Sequence, residues 1–247
     1  MDNSKRRFFI AFLPPQDIQD YATEIKEYFA QNYNSRHALK SPPHITLQPP
    51  FEWHLDNVSL LEQTLSTFAE SQTPVPIVLQ GFGAFVPRVI YINVIKTPEL
   101  MSLQGDLMAH MEESLGIVDP VSKTRPFSPH MTVAFSDLTR QNFRAAWPEF
   151  QRRELEFKFT VSQLTLLIHD GKQWNVSRNF DFPDNVEWVL ALTYSPLYCT
   201  LTQLWFPMSL EHARLVLTRL ISSKLNSVLA TCVEVNSRGI TIWFGLS

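Results

Sequence analysis

"SPPHITL" occupies Ser41 to Leu47, and "FSPHMTV" occupies Phe127 to Val133. Both spell proline, histidine, an apolar residue, threonine, an apolar residue. In an extended chain successive side chains alternate between faces. His44 and Thr46 therefore share one face of a short strand, while Ile45 and Leu47 turn into a core. His130 and Thr132 repeat the arrangement above Met131 and Val133. The prolines hold the chain extended as it approaches each strand.

Outward from these two phrases, the same order of elements occurs twice. The first half opens with a strand over Arg7 to Leu13. Pro14 and Pro15 then start a helix with Ile18, Tyr21, Ile25 and Tyr28 on one stripe. After the short strand "HITL" comes a helix presenting Val58, Leu61, Leu65 and Phe68. Two β-rich runs follow, Val75 to Leu79 and Val89 to Ile95, with "GFGAFVPR" between them as a connecting loop. The second half restarts at Thr97, a cap residue followed by Pro98. Leu100, Leu103, Leu107, Met111 and Leu115 make that helix's stripe, and Gly116 ends it. The strand "HMTV" and a helix around Asn142 to Phe150, interrupted or ended near Pro148, come next. Two runs, Phe157 to Ile168 and Gln173 to Phe182, then flank the hairpin signal Asp170-Gly171. Helices alternating with hairpin-joined strands predict an α+β fold. The expected architecture is bilobal: two pseudo-two-fold-related lobes of antiparallel sheet with flanking helices around a central cleft, one phrase per lobe.

The expected domain spans residues 1–184. Residues 185–247 differ in texture: charges thin out, Leu, Ser and Thr dominate, and both cysteines, Cys199 and Cys232, lie there. A helix from Ser209 with Leu210, Ala213, Leu217, Leu220 and Leu225 on one face fits this extension. It reads as an added packing element or loosely ordered tail, with a partner-binding helix or a segment foreign to the domain as alternatives.

Bulk composition narrows the classes. Of 247 residues, 45% are apolar and 18% charged, which marks a folded chain. The net charge of −3 argues against a broadly basic nucleic-acid surface, so an RNA ligand would be held at one local site. The apolar run Phe8 to Leu13 is shorter than a signal-peptide core and is stopped by Pro14 and Pro15, so it reads as a buried strand. No stretch reaches the roughly 18 apolar residues of a membrane span. The cysteines have no metal or redox spacing. A cytoplasmic monomer with no membrane partner is expected.

Two imidazoles facing one cleft suit phosphodiester cleavage, which removes one proton and delivers another near neutral pH. The hydroxyls of Thr46 and Thr132 are placed to donate to the non-bridging phosphate oxygens as charge builds there. No H-E-x-x-H motif, paired-Asp set or Cys/His cluster is present, so no metal and no other cofactor is expected. There is no G-x-S-x-G elbow and no Walker or G-x-G-x-x-G loop either.

With these residues in place, the chain resembles the 2H phosphoesterases, most closely their 2′-5′ RNA ligase-like branch. The resemblance runs from about Arg6 to Phe182 and rests on "PHITL" and "PHMTV". It is supported by "RFFIAFLPP", "PRVIYINV" and "LTLLIHDGKQWNV". It implies a bilobal fold and cleavage of 2′,3′-cyclic phosphates at RNA ends, usually to a 2′-phosphate, with 2′-5′ ligation as the reverse use. It implies His44, Thr46, His130 and Thr132 as the four catalytic positions. The implied partner is an RNA end or nucleotide bearing a 2′,3′-cyclic phosphate.

Arg125, Lys40 and Arg88 are candidate phosphate contacts at the cleft mouth, against the reading of plain surface charge. Phe51, Phe127, Phe135 and Tyr91 are the candidates to stack on a terminal base. His37, His54, His110, His169 and His212 read as structural or surface residues. Two other functions fit the same residues: the same chemistry on a small cyclic phosphonucleotide or a 2′-5′ oligonucleotide, and a non-catalytic RNA- or nucleotide-binding module.

Overall fold

A computed structural model describes residues 4–121, 124–183, 229–236 and 239–245. The chain divides into two units, Met1–Glu187 and Trp188–Ser247. The first contains β1 (Lys5–Phe12), α1 (Gln16–Asn32), β2 (Ile45–His54), α2 (Val58–Glu70), β3 (Val75–Phe85) and β4 (Val89–Val94). It continues with α3 (Pro98–Leu115), β5 (His130–Ala134), α4 (Arg140–Phe150), β6 (Glu156–Val161), β7 (Gln163–His169) and β8 (Trp174–Asp181). The strands form two antiparallel sheets, ordered β2-β1-β7-β8 and β5-β4-β3-β6.

The α+β class and the paired sheets agree with the expectation. Exchanging β1, β2, β7 and β8 for β4, β5, β3 and β6 maps one strand order onto the other. The halves of the chain, however, are not the lobes. Each sheet takes two strands from the first half and two from the second. The reason lies in β1, where Phe8 to Phe12 are all buried. Such a strand needs partners on both edges. β2 supplies one edge, and β7, from far along the chain, supplies the other.

The two faces of β1 have different uses. Phe8, Ile10 and Phe12 join the main core, which runs continuously through both sheets and the helices. Phe9 and Ala11 form a small second cluster with Leu167, against the half-buried Trp174. α1 leans on β5 and α3 on β2, so each of these helices packs on the motif-bearing edge strand of the opposite sheet. In α1 the buried stripe is Ile18, Ala22, Ile25 and Phe29, with Tyr21 and Tyr28 at its margin. The polar tips of the tyrosines stay near water while their rings cover the core edge.

Four local readings change. "HITL" leads into a ten-residue strand, which starts at Ile45 and passes through Pro49 and Pro50. Proline cannot donate to a ladder, but β2 is an edge strand and its register slips between Phe8↔Phe51 and Ile10↔Gln48, a bulge that absorbs both prolines. "GFGAF" is strand too. β3 continues to Phe85 through a register shift at Gly81, whose φ of +63° suits glycine. The run Phe157 to Ile168 is two strands, β6 and β7, which switch sheets at Ser162. α4 also runs on through Pro148 to Phe150 without the expected interruption. Elsewhere the local signals hold. The Thr97 side chain accepts from Leu100 N, and Gly116 takes the left-handed conformation after α3. The Asp170 carboxylate accepts from Lys172 N and Gln173 N in the β7–β8 turn.

In the second unit, β9 (Leu229–Asn236) and β10 (Gly239–Gly245) form an antiparallel pair, which the sequence reading did not anticipate. The helix expected from Ser209 lies outside the described residues, as do Cys199 and His212.

Candidate active site

His44 stands immediately before β2, and His130 is the first residue of β5. The Nδ1 of His44 lies 2.7 Å from Pro42 O, and the Nδ1 of His130 lies 2.7 Å from Ser128 O. A carbonyl oxygen only accepts, so Nδ1–H donates in both rings. Each neutral imidazole therefore keeps its lone pair on Nε2. The two proline phrases build the same local device, with the carbonyl two residues back fixing the tautomer. Pro43 and Pro129 are buried, while His44, Thr46, His130 and Thr132 are half-buried.

β2 and β5, the edge strands of the two sheets, approach one another. The sequence motifs are thus brought together across the unit. Burial drives the His44 imidazole down to about 4; the Pro42 bond opposes this, and the charges of Lys26 and His130 add to it. Burial also lowers His130, against the bond to Ser128 O.

Aromatic rings wall each imidazole. Phe9 lies 4.7 Å from His44 between ring centroids, and Trp174 lies 4.6 Å from Phe9. Phe85 and Tyr91 lie 4.9 and 5.1 Å from His130. Tyr91 pairs with Thr132 on one side and Gly83 on the other. Its ring occupies the space that a Cβ on Gly83 would need, with Oη 2.7 Å from that position, so glycine at 83 is what admits this tyrosine. Of the aromatic candidates from sequence, only Tyr91 touches a motif histidine. Phe51 and Phe127 pack on the main core, and Phe135 neighbours His37 instead. Phe9, Phe85 and Trp174 were missed. Counting along the alternating face of β1 would have found Phe9, but Trp174 arrives only through the β7–β8 pairing.

The candidate cations separate. Lys40 lines a cavity with Lys26, Pro42, Pro43 and Trp174, adjoining the first motif. Arg88 is exposed in the β3–β4 turn, where its backbone N donates to Phe85 O at 3.2 Å. Arg125 is exposed on the loop ahead of β5. Lys26 was not anticipated. It sits on the buried side of α1, 2% exposed, with Nζ donating to Ser41 O at 2.9 Å. Among the described residues no group of three His, Cys, Asp or Glu side chains has metal-binding geometry, and no helix is long and apolar enough to cross a membrane.

Two polar clamps hold the motif strands. Gln104 of α3, itself buried, donates to Leu47 O at 3.2 Å. Asp137, just past β5, accepts from Ser35 Oγ (2.8 Å), Arg36 N (2.6 Å) and His37 N (3.0 Å). It ties the segment leading to the first motif to the segment leaving the second. Partial burial pushes the Asp137 carboxyl up, but those donors outweigh it and hold it below the ordinary carboxylate range. A depressed folded value means stability that is present above the unfolded value near 4 and lost as pH falls through the folded one. Asp137→Ala is therefore expected to cost about 1–3 kcal/mol at pH 7. Urea unfolding of both proteins from pH 7 to pH 2.5 checks this: the gap narrows in acid, and a pH-independent gap contradicts it.

Two antiparallel sheets related by pseudo-two-fold order, each edged by a Pro-His-apolar-Thr strand, agree with the resemblance to the 2H phosphoesterases. The chain belongs to the 2′-5′ RNA ligase superfamily, which matches it over residues 14–173. One relative, the protein named "Putative phosphoesterase GK0864" of Geobacillus kaustophilus, is 29% identical over 177 residues, covering 70% of this chain and 95% of that protein. A counterpart in Geobacillus thermodenitrificans is 28% identical over 178 residues, with the same coverage. Among solved structures, TT0787 of Thermus thermophilus superposes with a TM-score of 0.53 at 19% identity, covering 72% of this chain and 99% of that one. E. coli LigT, solved with 3′-AMP, gives 0.51 at 18% identity, covering 73% and 99%. These two attest the fold. Family membership supports a phosphodiesterase or ligase function.

Proposed function

We propose that this chain is a metal-independent cyclic phosphodiesterase that opens 2′,3′-cyclic phosphate ends of RNA to 2′-phosphates. One Nε2 takes a proton from water as its oxygen attacks phosphorus. The bond from phosphorus to the 3′ oxygen breaks, and the other imidazolium delivers a proton to that oxygen. The products are a 2′-phosphate and a 3′-hydroxyl. Thr46 and Thr132 donate to the non-bridging oxygens. With an RNA 5′-hydroxyl in place of water, the same groups form a 2′-5′ linkage. The observation that carries this reading is the matched pair of Nδ1 bonds to Pro42 O and Ser128 O, which leaves both Nε2 atoms free on neighbouring strand edges. A nucleotide in the related LigT structure is compatible with it.

The test is turnover of a nucleoside 2′,3′-cyclic phosphate in EDTA, with the product's phosphate position read by NMR. No turnover, on this or on a cyclic-phosphate-ended RNA, sinks the proposal and favours a binding module. The pH dependence is specific. Both imidazoles lose their protons below the ordinary value of 6.5, His44 at about 4. One must be neutral and the other charged, and the phosphodiester's own charge is constant over this range. A bell-shaped kcat/KM with its optimum on the acid side of pH 6.5 is expected. A flat or rising profile from pH 5 to 9 contradicts paired acid–base work.

A further inference from the structure

The cavity beside the first motif has a volume of about 250 Å³. Its walls include Thr23 and Lys26 of α1, Lys40 and Pro43 of the approach to β2, and Gln173 and Trp174 of the β7–β8 hairpin. Lys26 spends one of its three N–H donors on Ser41 O. Burial brings its ammonium down to about 7, so an anion in the cavity would hold its proton in place.

One more positive group sits at the hairpin. The Arg7 guanidinium sits over the Trp174 ring, 5.6 Å from its centroid, and lies 3.3 Å from His169 Nδ1. His169 is 4.9 Å from the same ring. Burial, then the charges of Arg7 and Lys40, lower His169 against the opposing Asp170. Asp170 is itself engaged by Lys172 N, Gln173 N and Asn175 Nδ2 within the turn. In a chain of net charge −3, two lysines that line one cavity with Trp174, and an arginine over that ring, concentrate positive charge beside an aromatic side chain.

The cavity's position suggests the ligand. Trp174 touches Phe9, and Phe9 touches His44, so the cavity is two ring contacts from the first imidazole. An RNA that ends in a cyclic phosphate can continue only through its 5′ oxygen. We propose that this cavity is the subsite for the nucleotide immediately 5′ of the reacting end. Its phosphodiester lies between Lys26 and Lys40, and its base stacks on Trp174. The inference rests on reading the cleft as acting on RNA ends, and it makes the substrate a strand of two or more nucleotides.

Two assays separate the ideas. The first is calorimetric binding of the unreactive dinucleotide pApA, ending in a 3′-hydroxyl, to the full chain and to its Trp174→Ala and Lys40→Glu variants. Each variant should bind at least about fivefold more weakly, the lower end of a lost base stack. Unchanged Kd values in variants that unfold at the wild-type temperature, or no binding by the wild type, overturn the subsite. The second compares kcat/KM on a cyclic-phosphate-ended dinucleotide with that on a cyclic mononucleoside lacking a 5′-phosphate. The wild type should favour the dinucleotide, and both variants should lose most of that preference. Weakened binding with no turnover of either substrate leaves the subsite standing and ends the phosphodiesterase reading. Turnover of both with no preference does the reverse.

Discussion

Replacing either His44 or His130 by alanine is expected to lower kcat on a nucleoside 2′,3′-cyclic phosphate by about 10²–10⁴-fold. Each variant deletes one of the two proton transfers that the bond change requires. The effects should not multiply, because a site that has lost its base gains little from its acid; the double variant should fall close to the worse single one. Folding should survive. Each ring makes one local bond to a carbonyl two residues back, worth about 1 kcal/mol net. Single-turnover rates beside thermal melts give the answer. Full activity in either folded variant removes the paired-imidazole mechanism.

Thr46→Val and Thr132→Val should each cost about 10²–10³-fold in kcat with little change in KM. Valine keeps the shape and the β-branching, so each strand retains its pairing, Thr46 with Ala11 and Thr132 with Tyr91. Only the hydroxyl goes. If that hydroxyl donates to a non-bridging oxygen whose charge grows on the way to the transition state, its loss raises the barrier more than it weakens binding. A mainly KM effect would make the threonines binding groups. A kcat within a few-fold of wild type in both would remove them from the chemistry.

Much of the scaffold is written in local signals. α3 is legible from Thr97, Pro98 and Gly116, because caps act within one helical turn. The β7–β8 turn is legible from Asp170-Gly171, because an Asp side chain folds back on backbone two residues ahead. The failures share a different cause. Pro49 and Pro50 look like a break, yet they sit in a strand because the edge position and a bulge excuse them from the ladder. "GFGAF" looks like a loop, yet it is strand because β4 pairs with it and Gly83 makes room for Tyr91. In each case a partner distant in sequence overrode the local preference.

The same division separates the catalytic candidates from their surroundings. Alternation along a strand puts His44 with Thr46, and His130 with Thr132, on one face without any help from the fold, because the period of two is a property of the extended backbone itself. Which faces meet is not local. It follows from β7 returning to cover the second edge of β1, from β2 and β5 becoming neighbouring sheet edges, and from hydrogen bonds such as that of Gln104 to Leu47 O. Phe9 meets the first histidine through the β1–β2 pairing, Trp174 meets Phe9 through the β1–β7–β8 order, and Lys26 bonds Ser41 O from α1. No spacing in the sequence announces them, since side chains that meet through packing leave no period to count.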